Sequence, residues 1–355
     1  MKAVKNIFTR IFVDGMSGMA LGLFATLLVG TILEQIAGWC SGAVGYYLLI
    51  IATVAKKMTG IGIGVGVAAK FRCSPLVTVS AGAAGMCGAF ARQIIGRTLL
   101  VDGVFSLPGV GEPLGAFVAA YCAVEVGRLV SGKTKVDILV TPVCCLLIGA
   151  AVGILIGSPI ASFMTKVGTL INWGAEQEPL LAGVIVSVLM GIALTLPISS
   201  AAIGVSLGLS GIAAGAAVAG CCAQMVGFAA ASYRENKVGG AIAQGLGTSM
   251  LQMPNIVRKP VIWLPAILTS AILGPVSTVL LRMTSNATGS GMGTCGLVGP
   301  IMTFQTMVAE GNSAVIVLVE ILCVQIIAPI LLSLFFSEAM RRWGWIKSGD
   351  MKLEV

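Results

Sequence analysis

Two polar, glycine-rich stretches, VGGAIAQGLGTSMLQMPNIVRKP at residues 238–260 and TSNATGSGMGTCGLVGP at residues 284–300, decide the fold of this chain. The apolar run between them is long enough to cross a bilayer, because about 20 helical residues span its ~30 Å hydrocarbon core. Both stretches are too polar to face lipid and too poor in charge to be ordinary solvated loops. Irregular backbone at membrane depth occurs only where protein buries it or where it lines a water-filled cavity. We therefore predict two re-entrant hairpins, at residues 238–259 and 283–310.

The overall composition indicates a polytopic membrane protein. Of the 355 residues, 57% are hydrophobic and 10% are charged, whereas about a quarter of the residues in a typical soluble domain are charged. The net charge of +8 is a topology signal, because lysines and arginines collect in cytoplasmic loops. No interleaving of basic and aromatic residues points to a nucleic-acid partner. The ten cysteines contain no CxxC pair and fall mostly in apolar runs, where a thiol behaves as a small hydrophobe.

No histidine is present, which removes the commonest metal ligand and the commonest general base. The chain also contains no P-loop, no GxSxG sequence and no HExxH sequence. We therefore expect no metal, no cofactor and no catalytic residue in this chain.

Apolar runs predict an all-α membrane protein with about ten transmembrane helices plus the two hairpins. The spans are drawn at residues 16–33, 36–55, 74–96, 104–124, 136–157, 159–172, 179–204, 205–232, 260–281 and 313–336. With both termini cytoplasmic, every basic residue lies in an inner segment except Arg92, Arg97, Lys166 and Arg282, as the positive-inside rule favours. The first hairpin then enters from the cytoplasm and the second from the outer face. The span at 159–172 is the weakest, and removing it would invert every later segment.

Polar loops and hairpins suggest a division of labour along the chain. Residues 1–15 are predicted to form an amphipathic cytoplasmic helix, and residues 16–135 a scaffold and dimerisation part. The polar loop SGKTKVD closes that part. Residues 136–336 would form the transport part with both hairpins, and residues 337–355 a cytoplasmic tail.

The sequence EQEP contains the first candidate solute ligands, Glu176, Gln177 and Glu178. Ionisable groups at membrane depth are rare and often functional. A carboxylate at the start of a span, next to Pro179, could accept hydrogen bonds from sugar hydroxyls. Alternatively, Glu176 and Glu178 are loop residues that the positive end of the helix dipole favours.

Neutral polar side chains of the hairpins are the second group of candidates. Amides and hydroxyls both donate and accept hydrogen bonds, which suits a polyhydroxylated neutral solute. The candidates are Gln252 and Asn255 in the first hairpin, and Thr284, Ser285, Asn286, Ser290 and Thr294 in the second, with Gln244, Thr248 and Ser249 nearby. The alternative is that these groups only cap and satisfy the broken helix ends.

One further carboxylate, Glu320, lies inside the last predicted span. It could bind solute or a proton. It could also pair with an intramembrane arginine such as Arg92, Arg97 or Arg282, because charges inside bilayers usually have partners.

At residues 208–265 and 284–300 the chain resembles the phosphotransferase-system EIIC-like membrane proteins. More narrowly, it is similar to the branch that includes the perfringolysin O regulator-like proteins. In the broader family a GITEP motif followed by a glycine carries a sugar-binding glutamate, and Glu178-Pro179 with Gly183 resembles that motif. The residues before Glu178 depart from it, because Ala, Glu and Gln stand where Gly, Ile and Thr would be expected.

The resemblance implies ten helices with two hairpins, a homodimer in the bacterial inner membrane, and a separate cytoplasmic EIIB. It implies a permease component that moves a carbohydrate or related polar solute, which EIIB phosphorylates on delivery. Whether the assembly counts as an enzyme stays open at this point, because any phosphotransfer would be done by EIIB. The alternative is a membrane-embedded regulator or sensor that keeps a permease-like fold and controls gene expression.

Overall fold

The computed structural model describes residues 10–101 and 103–353, so the first nine residues of the predicted N-terminal helix lie outside it. The described residues form two compact units, the first reaching Phe163 and the second beginning at Met164. The boundary falls inside one long helix, whereas the sequence places the division at residues 135 and 136. Both units are helical, apart from one two-stranded β-hairpin in the first.

Six helices and the hairpin belong to the first unit, and a seventh helix begins in it. In chain order they are α1 (Arg10–Trp39), α2 (Gly42–Lys57), α3 (Thr59–Lys70), α4 (Pro75–Ala89), α5 (Ala91–Ile95), β1 (Leu100–Val101), β2 (Val104–Phe105), α6 (Pro113–Val130) and α7 (Asp137–Ala175).

The second unit contains long helices that alternate with short ones. In chain order they are α8 (Pro179–Thr195), α9 (Ser200–Ser206), α10 (Gly211–Ala231), α11 (Tyr233–Ile242), α12 (Met253–Arg258), α13 (Pro260–Leu280), α14 (Ala287–Ser290), α15 (Val298–Ala309) and α16 (Ala314–Arg342). Short 3-10 and π-helical turns join or extend several of them.

Membrane-spanning capacity can be judged from helix length and hydropathy. Six helices in the described ranges are long and apolar enough to cross a bilayer, and a seventh span results if α2 and α3, bent by 56°, are counted as one. The apolar helices α4 and α8 are shorter than a full span, as is the apolar segment that contains α15. The structure therefore supports a multi-pass all-α fold with six or seven candidate spans, fewer than the ten expected from sequence.

Glycines let the helices of the first unit pack closely. α1 and α3 run antiparallel, with Gly18 against Gly66 and Gly22 against Gly62, and a Cβ atom at Gly22 would overlap the carbonyl oxygen of Gly62. Small residues at helix contacts allow backbones to approach in a membrane protein. The sequence GIGIGVG at residues 60–66, which falls between the predicted spans 36–55 and 74–96, is therefore part of a packed helix.

Several predicted span boundaries in the first unit and in α7 are wrong. The predicted span 104–124 begins at Pro113, because residues 100–105 form the β-hairpin instead. The predicted spans 136–157 and 159–172 are one continuous helix, α7, which contains both Pro142 and Pro159. Proline disfavours a helix interior but does not always end it, so Pro159 does not mark a loop.

Three long helices form the centre of the second unit. α8 and α13 are antiparallel, because Thr278 donates to the Pro179 carbonyl (2.7 Å) at one end and Ser187 to the Ser270 carbonyl (2.8 Å) further along. α10 runs parallel to α8, and Gly220 packs directly against the Ser187 backbone. The helix α10 is almost completely buried.

This group of helices has two ends, which we call the Glu178 end and the Lys259 end. The Glu178 end holds the first residues of α8 and α10 and the last residues of α13. The Lys259 end holds the last residues of α10 and the first residues of α13, and Arg341 of α16 reaches it by donating to the Ala231 carbonyl (3.2 Å).

The parallel arrangement of α8 and α10 corrects the prediction of two antiparallel spans at 179–204 and 205–232. α8 ends at Thr195, and residues 196–210 return to the Glu178 end through the short helix α9. Leu196 is extended, Pro197 has no N–H group, and Gly208 and Gly211 adopt positive φ. These residues break the helix inside an apolar run that hydropathy alone cannot divide.

Candidate functional site

The first glycine-rich stretch is broken into short pieces, as predicted. After the kink at Lys237 (φ 53°), α11 passes into a π-helical turn, a 3-10 turn at Ser249–Gln252, and then α12. Thr248 is extended, and its hydroxyl accepts the Met250 N–H (3.1 Å) to start the 3-10 turn. We call residues 233–258 the first broken segment.

The second glycine-rich stretch is also broken. Asn286 caps α14 by accepting the Gly289 N–H (3.0 Å), and that helix ends after one turn. The chain then turns at Gly293 (φ 53°), where a Cβ atom would lie 2.8 Å from the carbonyl carbon of Cys221 in α10. Leu297 (φ 59°) leads into α15. We call residues 284–309 the second broken segment.

The second broken segment is a hairpin that begins and ends at the Glu178 end. Ser285 donates its N–H to the Gly211 carbonyl (3.2 Å) at the start of α10. The turn at Gly293 then reaches the middle of α10. α15 brings the chain back, and Thr284 donates to Glu310 (2.6 Å) where the hairpin closes.

The two broken segments enter from opposite ends and meet. The first lies at the Lys259 end, where Gln244 donates to Ser232 at the end of α10 (2.9 Å). At the meeting point the Thr294 hydroxyl donates to the Gly245 carbonyl. Ser200, in the returning stretch 196–210, donates to the Gly291 carbonyl (2.7 Å) and holds the second segment from another side.

This arrangement of helices and broken segments can be compared with known proteins. A family model described as "Phosphotransferase system, EIIC" matches residues 13–353, which is nearly the whole chain. The chain belongs to the phosphotransferase-system EIIC family. No curated protein matches the chain significantly. Membership makes the chain a multi-pass membrane protein of a permease family, and it implies work with an EIIB domain and a solute.

The predicted carboxylate site of this EIIC chain lies on an exposed turn at the Glu178 end. Glu176 accepts from the Asn172 amide (2.9 Å), and Gln177 donates to the Trp173 carbonyl (2.9 Å), both one helical turn away. Glu178 precedes α8 without a side-chain capping bond and is exposed. The contacts of Glu176 and Gln177 are therefore local to the end of α7.

The two candidate amides of the first segment are already in use. Gln252 donates to the Met351 carbonyl (2.9 Å) and Asn255 to the Lys352 carbonyl (2.9 Å), both in the C-terminal stretch. Asn255 also donates to Gln252 (2.9 Å). Both side chains are buried, so they form part of an internal network.

The candidates of the second segment fall into two groups. Asn286 and Ser290 satisfy local backbone, since Asn286 caps α14 and Ser290 donates to the Ala287 carbonyl (2.8 Å), whereas Thr294 joins the two segments. In contrast, the Ser285 hydroxyl is buried, with 1% of the residue exposed, and lacks a hydrogen-bond partner within the described ranges. Among these candidates, Ser285 is therefore the residue whose hydroxyl is still able to form a hydrogen bond with a solute or water.

Sequence reasoning missed a buried polar cluster centred on Gln224, in the middle of α10. Its amide oxygen accepts from Trp263 (2.8 Å) and Thr195 (3.3 Å), and Thr195 shares a hydrogen bond with Ser249 of the first segment (2.8 Å). Gln224, Thr195 and Ser249 are completely buried. An amide inside the apolar run CCAQMVG was the available signal.

Glu320 is not paired as one alternative predicted. Its Oε2 atom is buried and has no hydrogen-bond partner, and Glu320 forms no ion pair in the part of the chain that the structure describes. The neighbouring Gln325 donates to Thr303 (3.2 Å), while its amide oxygen is also buried and unpartnered. No cluster of three or more potential metal ligands occurs among the described residues.

Proposed function

We propose that this chain is the permease component that moves a carbohydrate or related polar solute across the bacterial inner membrane, together with a separate cytoplasmic EIIB. The observation that carries the proposal is the meeting of two broken segments from opposite ends of the second unit. Broken helices that meet near the membrane midplane are typical solute sites of transporters. In this proposal the second unit carries the solute and the first unit is the scaffold.

The charges at the two ends of the second unit support an orientation. Cations cluster at the Lys259 end: Arg234, Lys237, Arg258, Lys259, Arg341, Arg342, Lys347 and Lys352. The Glu178 end holds Arg282 together with Glu176, Glu178 and Glu310. The positive-inside rule therefore favours a cytoplasmic Lys259 end, from which the first segment re-enters, and a cytoplasmic C-terminus. We propose the same side for the N-terminus.

Ten crossings are compatible with this orientation if each unit contributes five. In the first unit these are α1, the bent pair α2–α3, α4, α6 and the first part of α7. In the second they are α8, the returning stretch 196–210, α10, α13 and α16. Hydropathy identifies fewer spans because α4 and α8 are short and 196–210 is largely non-helical.

The polar groups near the second segment favour a neutral, polyhydroxylated solute. Ser277 and Ser285 have buried hydroxyls without partners in the described residues, and Ser277 accepts the Met283 N–H through its backbone carbonyl (2.8 Å). The free energy falls when a solute hydroxyl or a water forms a hydrogen bond with an unpaired buried hydroxyl. We keep Glu176, Gln177 and Glu178 in the proposed site as contributors at its outer edge. The amides Gln252 and Asn255 contribute only indirectly, because both are bonded to the C-terminal stretch.

One observation favours the second candidate function, a membrane-embedded regulator or sensor of the perfringolysin O regulator-like branch. The carboxylate expected to bind sugar is exposed, and its neighbours Glu176 and Gln177 bond to their own helix. A protein that keeps the fold without that ligand could bind solute and signal to a partner without moving it.

A homodimer is also proposed, formed through the first unit. One face of α2 is exposed and apolar, with Val44, Tyr47, Ile51 and Val54 each more than half exposed. An apolar face of this kind lies against lipid or against a second copy. Cysteine cross-linking along α2 distinguishes these two surroundings.

Uptake by proteoliposomes tests the leading proposal. Purified chain, with and without candidate EIIB proteins, is given a panel of labelled sugars, and sugar binding is measured in parallel. We expect binding and EIIB-dependent uptake, weakened by Ser285→Ala and unchanged by Ser41→Ala at an exposed site of the first unit. Binding without uptake under all EIIB conditions would favour the sensor. No binding at millimolar concentrations would reject both forms of the solute site.

A further inference from the structure

Residues 343–353, which belong to the predicted C-terminal tail, are packed against the first broken segment. It leaves α16 in a tight turn, in which Trp345 donates its N–H to the Met340 carbonyl (2.9 Å). Ile346 and Met351 are 2% and 0% exposed. We call residues 343–353 the strap.

Side-chain amides of the first segment hold the backbone of the strap. Asn236 donates to the Met351 carbonyl (2.8 Å) and accepts the Leu353 N–H (2.8 Å). Gln252 donates to the same Met351 carbonyl, and Asn255 to that of Lys352. Three amides from separate turns of the first segment thus converge on two successive carbonyls of the strap.

Two charged pairs complete the attachment. Lys259 pairs with Asp350 (2.6 Å), and Arg341 pairs with Glu235 (3.2 Å), which also accepts the Gly349 N–H (2.9 Å). Burial alone would raise the pKa of Asp350. Hydrogen bonds from Lys259 and the Lys347 backbone, with the positive charges of Lys259 and Arg341, outweigh burial and lower that pKa.

The same amides connect the strap to the meeting point of the two segments. Gln252 donates both to the strap and to the Gln244 amide oxygen (2.9 Å), and Gln244 donates to Ser232. Gly245, the next residue, accepts the Thr294 hydroxyl of the second segment. Two buried glutamines therefore separate the strap from the contact between the segments.

We propose that the strap is a positioning element of the solute site, which holds the first segment in the arrangement that contacts Thr294. The strap then acts on the site through Gln252, which Asn255 supports by its own bonds to Gln252 and to the strap. The effect on solute rests on the proposed function, whereas the effect on the mobility of the first segment does not. A loosened strap frees the amides of Gln252 and Asn255 and lets the 3-10 turn move.

Hydrogen–deuterium exchange of the full chain in lipid nanodiscs tests this proposal. The variant Asp350→Asn with Met351→Ala alters only the strap, and Ser348→Ala, at an exposed strap position, is its matched control. We expect exchange in residues 241–252 to rise about tenfold or more in the double variant, because a buried side chain and a charged pair are lost together. The control should match the wild type, and α6 should be unchanged in both.

Two results would overturn the proposal. Exchange could rise only in residues 343–353, or it could rise equally in α6, which would indicate general destabilisation. If the double variant does not fold, Asp350→Asn alone is measured by the same comparison. Solute binding forms a separate arm: a weaker Kd in the double variant supports both proposals, whereas a wild type that binds no sugar rejects the proposed function and leaves the exchange result decisive.

Discussion

Replacing Gly293 by alanine should destabilise the second unit, because that glycine meets two demands at once. Its φ of +53° costs an L-residue roughly 1–2 kcal/mol. A Cβ atom would also lie 2.8 Å from the Cys221 backbone and 2.9 Å from its Cβ, and such overpacking costs about 1–3 kcal/mol. The free energy of unfolding should therefore fall by about 2–5 kcal/mol.

Two control glycines of the second unit separate these contributions. Gly208 has a φ of +61° and open space around it, so Gly208→Ala should lose only the conformational part. Gly239 has neither demand and lies in a helix, so Gly239→Ala should be neutral or gain up to about 1 kcal/mol.

Unfolding of the three variants by SDS in mixed micelles, followed by tryptophan fluorescence, gives the comparison. We expect Gly239→Ala to be the most stable of the three variants, Gly208→Ala to be intermediate and Gly293→Ala to be the least stable. A Gly293→Ala variant as stable as Gly208→Ala would mean that the turn of the second segment does not lie against α10. The hairpin geometry behind the proposed solute site would then fail.

Three further predictions follow from other contacts. Gly22→Ala should separate α1 from α3 and lower stability by about 1–3 kcal/mol, whereas Gly38→Ala, in open space, should not, as measured by the same unfolding assay. Gln224→Leu should cost about 1–3 kcal/mol by removing the acceptor of the half-buried Trp263 N–H, and it should change the fluorescence of that tryptophan. Because the pKa of Asp350 is lowered, its pair with Lys259 should stabilise the strap above about pH 4 and be lost as pH falls through the lowered value, which exchange of residues 343–353 between pH 7 and 3 can follow.

The broken segments could be predicted from sequence because their causes are local. Glycines are frequent in the first stretch and disfavour a continuous helix, although Gly239 and Gly240 themselves lie inside α11 and the breaks fall at Lys237 and Thr248. The same reasoning predicted the break around Gly293. Composition and hydropathy also predicted a multi-pass helical fold, which the family match supports.

The roles of individual polar residues could not be predicted, because their partners are distant in sequence. Gln252 and Asn255 look like free amides within their own stretch. Their acceptors lie 99 and 97 residues further along the chain, and they are backbone carbonyls, which carry no sequence signal. The parallel arrangement of α8 and α10 was missed for a related reason, since the return at 196–210 is also apolar and contains no charged residue.

The two broken segments differ in how their neutral polar side chains are satisfied, although one carboxylate oxygen of the first segment, Glu235 Oε2, is also buried and unpaired among the described residues. In the first segment, Gln244, Gln252 and Asn255 are all bonded to protein groups, and the strap closes that network. At the entry to the second, the hydroxyls of Ser277 and Ser285 are buried and unpaired among the described residues. A buried polar group without a partner is costly, and it persists in proteins mainly where a ligand or water completes it. We therefore propose that the first segment is a fixed wall of the solute site and that the second segment is the surface that meets the solute.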